Sequence, residues 1–131
     1  MARTVYDQYL ESEVWGAAPV ELVCLLYRGC IDAVRDARRH LAQRAIRERS
    51  RQVSKAWGIL QELAATLDTE QGGDIAHRLA GLYAYMQTRL MEGNIQQQDA
   101  PLQEVENLLV TLSEGWHSAA RAVEEEAVLV G

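Results

Sequence analysis

The sequence predicts an all-α protein: an antiparallel up-down-up-down four-helix bundle preceded by an irregular aromatic N-terminal segment. Three observations predict it. Good helix formers dominate (Ala, Leu, Gln, Glu, Arg), while proline occurs only at Pro19 and Pro101 and the β-branched clusters that mark strands are nearly absent. Apolar residues recur at three- and four-residue spacing along four long stretches, the period of a helix with one buried face. The stretches are joined by short polar connections, which make consecutive helices antiparallel neighbours.

The elements follow in order. Residues 1–18 form no periodic pattern but carry Tyr6, Tyr9 and Trp15. Pro19 suits the first turn of a helix, where its missing N–H costs nothing. A first helix is predicted over 19–43, with Val23, Leu26, Cys30, Val34, Ala37 and Leu41 inward. A second spans 46–67, with Val53, Trp57, Leu60, Leu63 or Ala64, and Leu67 inward. The polar run 68–73, ending in Gly72-Gly73, reads as a flexible turn. A third helix spans 74–97, with Ile75, Leu79, Leu82, Met86 and Leu90 inward. Asp99 and Pro101 mark the next turn and cap. The fourth helix spans 102–123, with Val105, Leu108, Leu109, Leu112, Trp116 and Ala119 inward. Residues 124–131 read as a frayed end or tail. The 131 residues suit a single domain, with the bundle over 19–123.

Composition excludes several functions. A formal charge of −6 makes nucleic acid and anionic membrane poor default partners. No apolar run approaches the roughly 20 residues needed to span a bilayer. The first ten residues lack the apolar core of a signal peptide, so the cytosol is the expected location. Cys24 and Cys30, six apart on one helix, have α-carbons about 9 Å apart at helical rise. That is beyond disulfide reach, and both read as small buried apolar residues.

Catalysis finds little support. Asp74-x-x-His77 and Glu114-x-x-His117 have the spacing of a dinuclear metal site in a bundle. However, at about 100° per residue His77 points away from the third inner stripe, and Glu114 and His117 away from the fourth. No serine sits in a turn that presents a nucleophile. Gly72-Gly73 opens a helix that could hold an anion, but the lysine of a phosphate-binding loop is missing. His40, among Arg38 and Arg39, reads as solvated. The chain is therefore expected not to be an enzyme and to need no cofactor or metal. Eight of its thirteen basic residues crowd into 35–55, at the corner of the first two helices. That corner reads as solvated, or as a steering surface for an acidic partner.

The informative feature is apolar surface beyond what one core needs. On the first helix, Leu22, Leu25, Gly29 and Ala33 form a second apolar stripe about 100–160° from the first. Ile59 lies about 100° from Leu60, outside the second helix's inner stripe, and Tyr85 flanks the third. Met91 and Val110 point away from their stripes. Clustered apolar surface marks an interface, and helix-in-groove recognition is the natural mode for it. Leu22, Leu25, Gly29, Ala33, Ile59 and Tyr85 are the candidate partner contacts. The aromatic N-terminal segment could cover the first helix through Tyr6, Tyr9 or Trp15.

Four stretches together carry a family resemblance. Ala18-Pro19-Val20-Glu21-Leu22-Val23-Cys24-Leu25-Leu26-Tyr27-Arg28-Gly29 resembles the start of helix 1 in the flagellar secretion chaperones for flagellin (FliS). Leu67 through Ala76 resembles that family's turn before helix 3. Leu82-Tyr83-Ala84-Tyr85-Met86, with Arg89-Leu90 and Asn94, resembles its helix 3, and Glu104-Val105 through Leu112, with Trp116, its helix 4. The chain departs from the pattern at Ala18, where serine is usual, at Arg28, where an acid is usual, and at Gly93, where alanine is common. The resemblance implies a cytosolic export chaperone. It would bind the otherwise disordered C-terminal segment of flagellin, prevent premature polymerisation and hand the subunit to the type III export gate. It would act as a monomer or weak homodimer, with no nucleic acid and no membrane insertion. Leu22, Leu25 and Ile59 would then be groove contacts, and Tyr6 or Tyr9 a displaceable cover. The alternative from the residues alone is a helical-bundle adaptor, or self-associating module, for another protein partner.

Overall fold

The structure is a computed structural model that describes the backbone of residues 13–16 and 18–130 and the side chains of that range as far as residue 114. The four amphipathic stretches form α1 (Val20–Ala42), α2 (Ile46–Thr66), α3 (Gly73–Gln96) and α4 (Asp99–Val130). Each packs on its neighbour in sequence, and α1 also packs on α4, closing the ring of a four-helix bundle.

Cross-links between helices fix the directions. Arg35 and Arg38 on α1 pair with Glu106 and Asp99 on α4, numbers rising on one helix as they fall on the other. Arg49 reaches Asn94 while Gln61 reaches Gln87, so α2 and α3 also run antiparallel to each other. These pairs give the antiparallel arrangement expected of short connections.

The helix ends differ from expectation in instructive ways. Pro19 is the residue before α1 (φ −64°, ψ 140°), not its first helical residue, and its carbonyl accepts bonds from the Leu22 and Val23 N–H groups. None of α1, α2 and α3 has a side-chain cap at its N-terminus. For α1 this is the consequence of Pro19 at the cap position, one residue later than the Ala18 expected there, since its side chain has no acceptor to offer. The α1–α2 and α3–α4 turns place Arg44 (φ 58°) and Gln97 (φ 54°) in the left-handed region that closes helix C-termini. The fourth helix starts at Asp99 and continues to Val130, so the stretch 124–130, expected as a frayed helix end or tail, is helical.

The core mostly follows the inner stripes. Val23, Cys30, Val34, Ala37, Val53, Leu60, Leu63, Met86, Leu90, Val105 and Leu109 are buried, and Leu26, Leu41, Leu79, Leu108 and Leu112 pack partly against them. Two inner positions are corrected. Trp57 is 39 % exposed and Ile75 54 % exposed. Ala56 takes the inward place on α2 and Ala76 that on α3. A small residue lets the neighbouring backbone approach, and the larger one beside it is rotated to the rim. Cys24 is only half-buried, unlike Cys30.

Tyr27 and Tyr83 occupy the centre. Their hydroxyls are 2.6 Å apart, and the Trp15 ring stands edge-on to Tyr27. The N-terminal segment therefore contributes to the core: Val14 and Trp15, in a short helical turn at 13–15, are 3 % and 2 % exposed. Tyr6 and Tyr9 lie outside the described residues.

The turn between α2 and α3 is pinned. Asp68 N–H donates to the Val14 carbonyl, and its carboxylate accepts from the Glu70 and Gln71 N–H groups. A Cβ on Gly72 would lie 2.6 Å from the Asp68 carbonyl oxygen and 2.9 Å from that of Glu13. The glycine is required by close approach, while Gly73 is required by its φ of 53°.

Candidate partner-binding surface

The second apolar stripe of α1 divides between two roles. Gly29 and Ala33 face α2: a Cβ on Gly29 would touch Ile59 Cδ1 at 3.5 Å, and Ala33 is 1 % exposed. Together with Ala56, these small residues let α1 and α2 approach closely, and the Cys30 thiol reaches the Ala56 carbonyl at 3.6 Å across the seam. Ile59 packs partly against the core. Ala33 is thus buried inside the free chain rather than on an open stripe, because the stripe's inner edge turns towards α2.

Leu22 and Leu25 remain on the outside, 44 % and 60 % exposed. They sit in the first two turns of α1, within about 40° of Gly29 around the helix at 100° per residue. Tyr85 is 45 % exposed but belongs to α3, across the ring. Its hydroxyl donates to Glu104 on α4, which Arg89 also holds at 2.7 Å. Arg89 and Tyr85 lower the proton affinity of the Glu104 carboxyl, and that carboxylate in turn raises the Tyr85 phenol. The structure therefore sets Gly29 against Ile59, leaves Leu22 and Leu25 exposed on the same helix as Gly29, and places Tyr85 on α3 beside Glu104 of α4.

The candidate metal and anion groups are not assembled into a site. Asp74, His77 and Glu114 are exposed, and the side chain of His117 lies outside the described residues. Among the described residues no three His, Cys, Asp or Glu side chains are placed to hold a metal. No described helix is long and apolar enough to cross a membrane. His40 is half-buried, not solvated, with Nδ1 enclosed.

The basic corner resolves into distinct roles. Arg38 makes a two-bond contact with Asp99 (2.8 and 2.9 Å) and shares Glu106 with Arg35. Arg39 pairs with Asp36 along α1. Arg49 is 3 % exposed and donates to the side-chain and main-chain oxygens of Asn94. That leaves Arg44, Arg47, Arg51 and Lys55 exposed, without an ion pair among the described residues.

Two features are not legible in the sequence, one on this surface and one beneath it. Trp57 on α2, with Met91 and Ile95 on α3, lines an open groove of about 540 Å³. Met91 was legible as outward-pointing, but Trp57 was assigned to the core and Ile95 carried no signal. Tyr83 was also missed, since a tyrosine in an apolar helix reads equally well as rim or core.

Comparison with known proteins places the chain in a family. The family model described as flagellar protein FliS matches residues 1–123. A flagellar secretion chaperone of Salmonella typhimurium is 38 % identical over 108 residues, covering 82 % of this chain and 80 % of that protein. A Pseudomonas aeruginosa relative, named flagellar secretion chaperone FliSB, is 36 % identical over 107 residues, 82 % of this chain and 85 % of its own length. The Bacillus subtilis flagellar secretion chaperone is 29 % identical over 117 residues, 89 % and 86 % of the two chains. A bundle of four helices with exposed leucines and no assembled catalytic group among its described residues, matched along nearly its whole length, belongs to the FliS family of flagellar secretion chaperones, a family of chaperones and not of enzymes.

Proposed function

We propose that this chain is a cytosolic chaperone for flagellin, holding its C-terminal segment against the bundle, preventing premature polymerisation and delivering the subunit to the type III export gate. The observation that carries this reading is the exposed pair Leu22 and Leu25 in a chain of the FliS family. A segment that folds as it binds gains affinity from long apolar contacts, less the cost of ordering. Two large aliphatic side chains in the first turns of α1, on the same helix as Gly29, offer such contacts. Tyr85 would contribute separately, where α3 meets α4, and Ala33 by holding α1 against α2. Tyr6 and Tyr9 would cover the seam until the client displaces them.

Titration calorimetry with a flagellin C-terminal fragment tests the reading. A one-to-one complex is expected, with the negative heat-capacity change of apolar burial. Absence of heat and of a complex at about 100 µM, where even a weak specific interaction registers, would refute it.

A further inference from the structure

The groove between α2 and α3 is separate from the Leu22–Leu25 edge and has its own chemistry. Trp57, Met91 and Ile95 are 39 %, 41 % and 72 % exposed, so three large apolar side chains from two facing helices share one depression. Gln87 bridges its floor, donating from Nε2 to the Trp57 carbonyl and to Gln61 Oε1, so the helices are tied together beneath it. Single exposed apolar residues are ordinary, but three converging on one open groove are not.

Charge defines the occupant. The α2 bank beside the groove carries Arg47 and Arg51, roughly 80° and 120° around the helix from Trp57 at 100° per residue. The Arg49–Asn94 bond places them level with the Ile95 end, where Asn94 adjoins Ile95. Neither arginine, nor Arg44 or Lys55, makes an ion pair among the described residues, although the chain's formal charge is −6. By contrast, Arg35, Arg38, Arg39 and Arg89 are all paired with carboxylates. The opposite bank carries Glu92, already engaged by Arg89. An open apolar trough with one unpaired cationic bank complements an amphipathic helix whose apolar stripe is flanked by carboxylates. A polyanion such as nucleic acid fits less well, since the charges are few and the chain as a whole repels it.

We propose that the α2–α3 groove is a second docking site, taking an acid-flanked amphipathic helix from a partner protein other than the client held at the α1 edge. The apolar stripe would sit on Trp57, Met91 and Ile95, and the flanking carboxylates would meet Arg47 and Arg51.

The test uses the full chain and a labelled helical peptide of about 18 residues, five turns, with a leucine stripe flanked by glutamates. A second peptide has lysines in place of the glutamates. Fluorescence anisotropy is expected to show the glutamate peptide binding about tenfold more tightly at low salt, with the difference shrinking as ionic strength rises. Met91→Asp, at an exposed position, should abolish binding, and Arg47→Glu combined with Arg51→Glu should reverse the preference, with the melting temperature unchanged in both variants. Equal affinity for the two peptides overturns the proposal, as does binding untouched by either variant. Displacement of the peptide by a single-stranded oligonucleotide overturns it in favour of a nucleic-acid surface. A dimer in gel filtration that Met91→Asp dissociates overturns it in favour of a second copy. A flagellin C-terminal fragment should bind without displacing the peptide, and displacement would show that the groove belongs to the client.

Discussion

The hydroxyls of Tyr27 and Tyr83 meet at 2.6 Å in the middle of the bundle, joining α1 to α3 across the diagonal that apolar packing alone would leave unspecified. Either oxygen can donate, and the other accepts. A buried hydroxyl without a partner costs about 1–3 kcal/mol, so each tyrosine is tolerated there because of the other. Tyr27→Phe or Tyr83→Phe alone should destabilise the chain by about 1–3 kcal/mol in urea unfolding. The double variant should cost less than the sum of the singles. Strict additivity would show that the hydroxyls do not act as a pair.

The same pair and its neighbour make alkaline stability a readout of the core. Burial pushes the Tyr27 phenol and the Cys30 thiol each up to about 12, and burial together with Tyr27 raises the Tyr83 phenol as well. Folded-state values above the unfolded ones mean that the native state holds these protons more tightly. Their contribution is therefore fully present below the unfolded values, near 9 for the thiol and 10 for the phenols, and is lost as pH rises towards 12. Unfolding free energy should fall above about pH 9, by up to roughly 1.4 kcal/mol per pH unit for each group that titrates. The double Phe variant should show a shallower decline than the native chain.

Gly72 and Gly73 should respond differently to alanine. Gly72→Ala drives a methyl into two carbonyl oxygens, of Asp68 and Glu13, and so strains the docking of Val14 and Trp15. A loss of about 2–4 kcal/mol is expected, with a red-shifted tryptophan emission as Trp15 leaves the core. Gly73→Ala meets no neighbour, and only its φ of 53° opposes the side chain. It should cost about 1–2 kcal/mol and leave the emission unchanged.

Asn94→Ala removes the acceptor of a buried guanidinium. Arg49 Nε bonds Asn94 Oδ1 at 2.9 Å, and Ser50 shares that oxygen. Loss of a hydrogen bond to a buried charged group should destabilise the bundle by about 1.5–3 kcal/mol. A truncation at Arg47, exposed on the same helix, should fall within about 0.5 kcal/mol of the native chain. Thermal melts of the two variants side by side make the comparison.

Leu25→Asp separates binding from folding. Leu25 is 60 % exposed, so the substitution should change stability by no more than about 0.5 kcal/mol and leave the far-ultraviolet circular dichroism intact. Its affinity for a flagellin C-terminal fragment should drop about tenfold or more, the scale of one lost apolar anchor. Removal of residues 1–12, including Tyr6 and Tyr9, should tighten the same interaction if they cover the seam.

The sequence by itself determined the helices. The repeat of apolar residues at three and four positions located α1, α2 and α3 to within a residue at each end, and the short polar connections determined their antiparallel order. The stretches resembling FliS, around Pro19, Gly72 and Tyr85, identified the family before any packing was known. Periodicity gives the direction in which a side chain points, but not what stands opposite it. That was decided only by tertiary structure. Ala33 and Gly29 lay on an apparently free stripe until α2 closed on them, because small residues invite a backbone to approach. Trp57 lay on an inward stripe but went to the rim, because Ala56 took the contact beside it. Trp15 belonged to a segment with no period at all, yet it is buried edge-on against Tyr27, a contact between residues twelve apart that no helical period announces. Among eight clustered basic residues, the ones bound to carboxylates, the one buried on Asn94 and the ones left unpaired were distinguished only by the helices across from them.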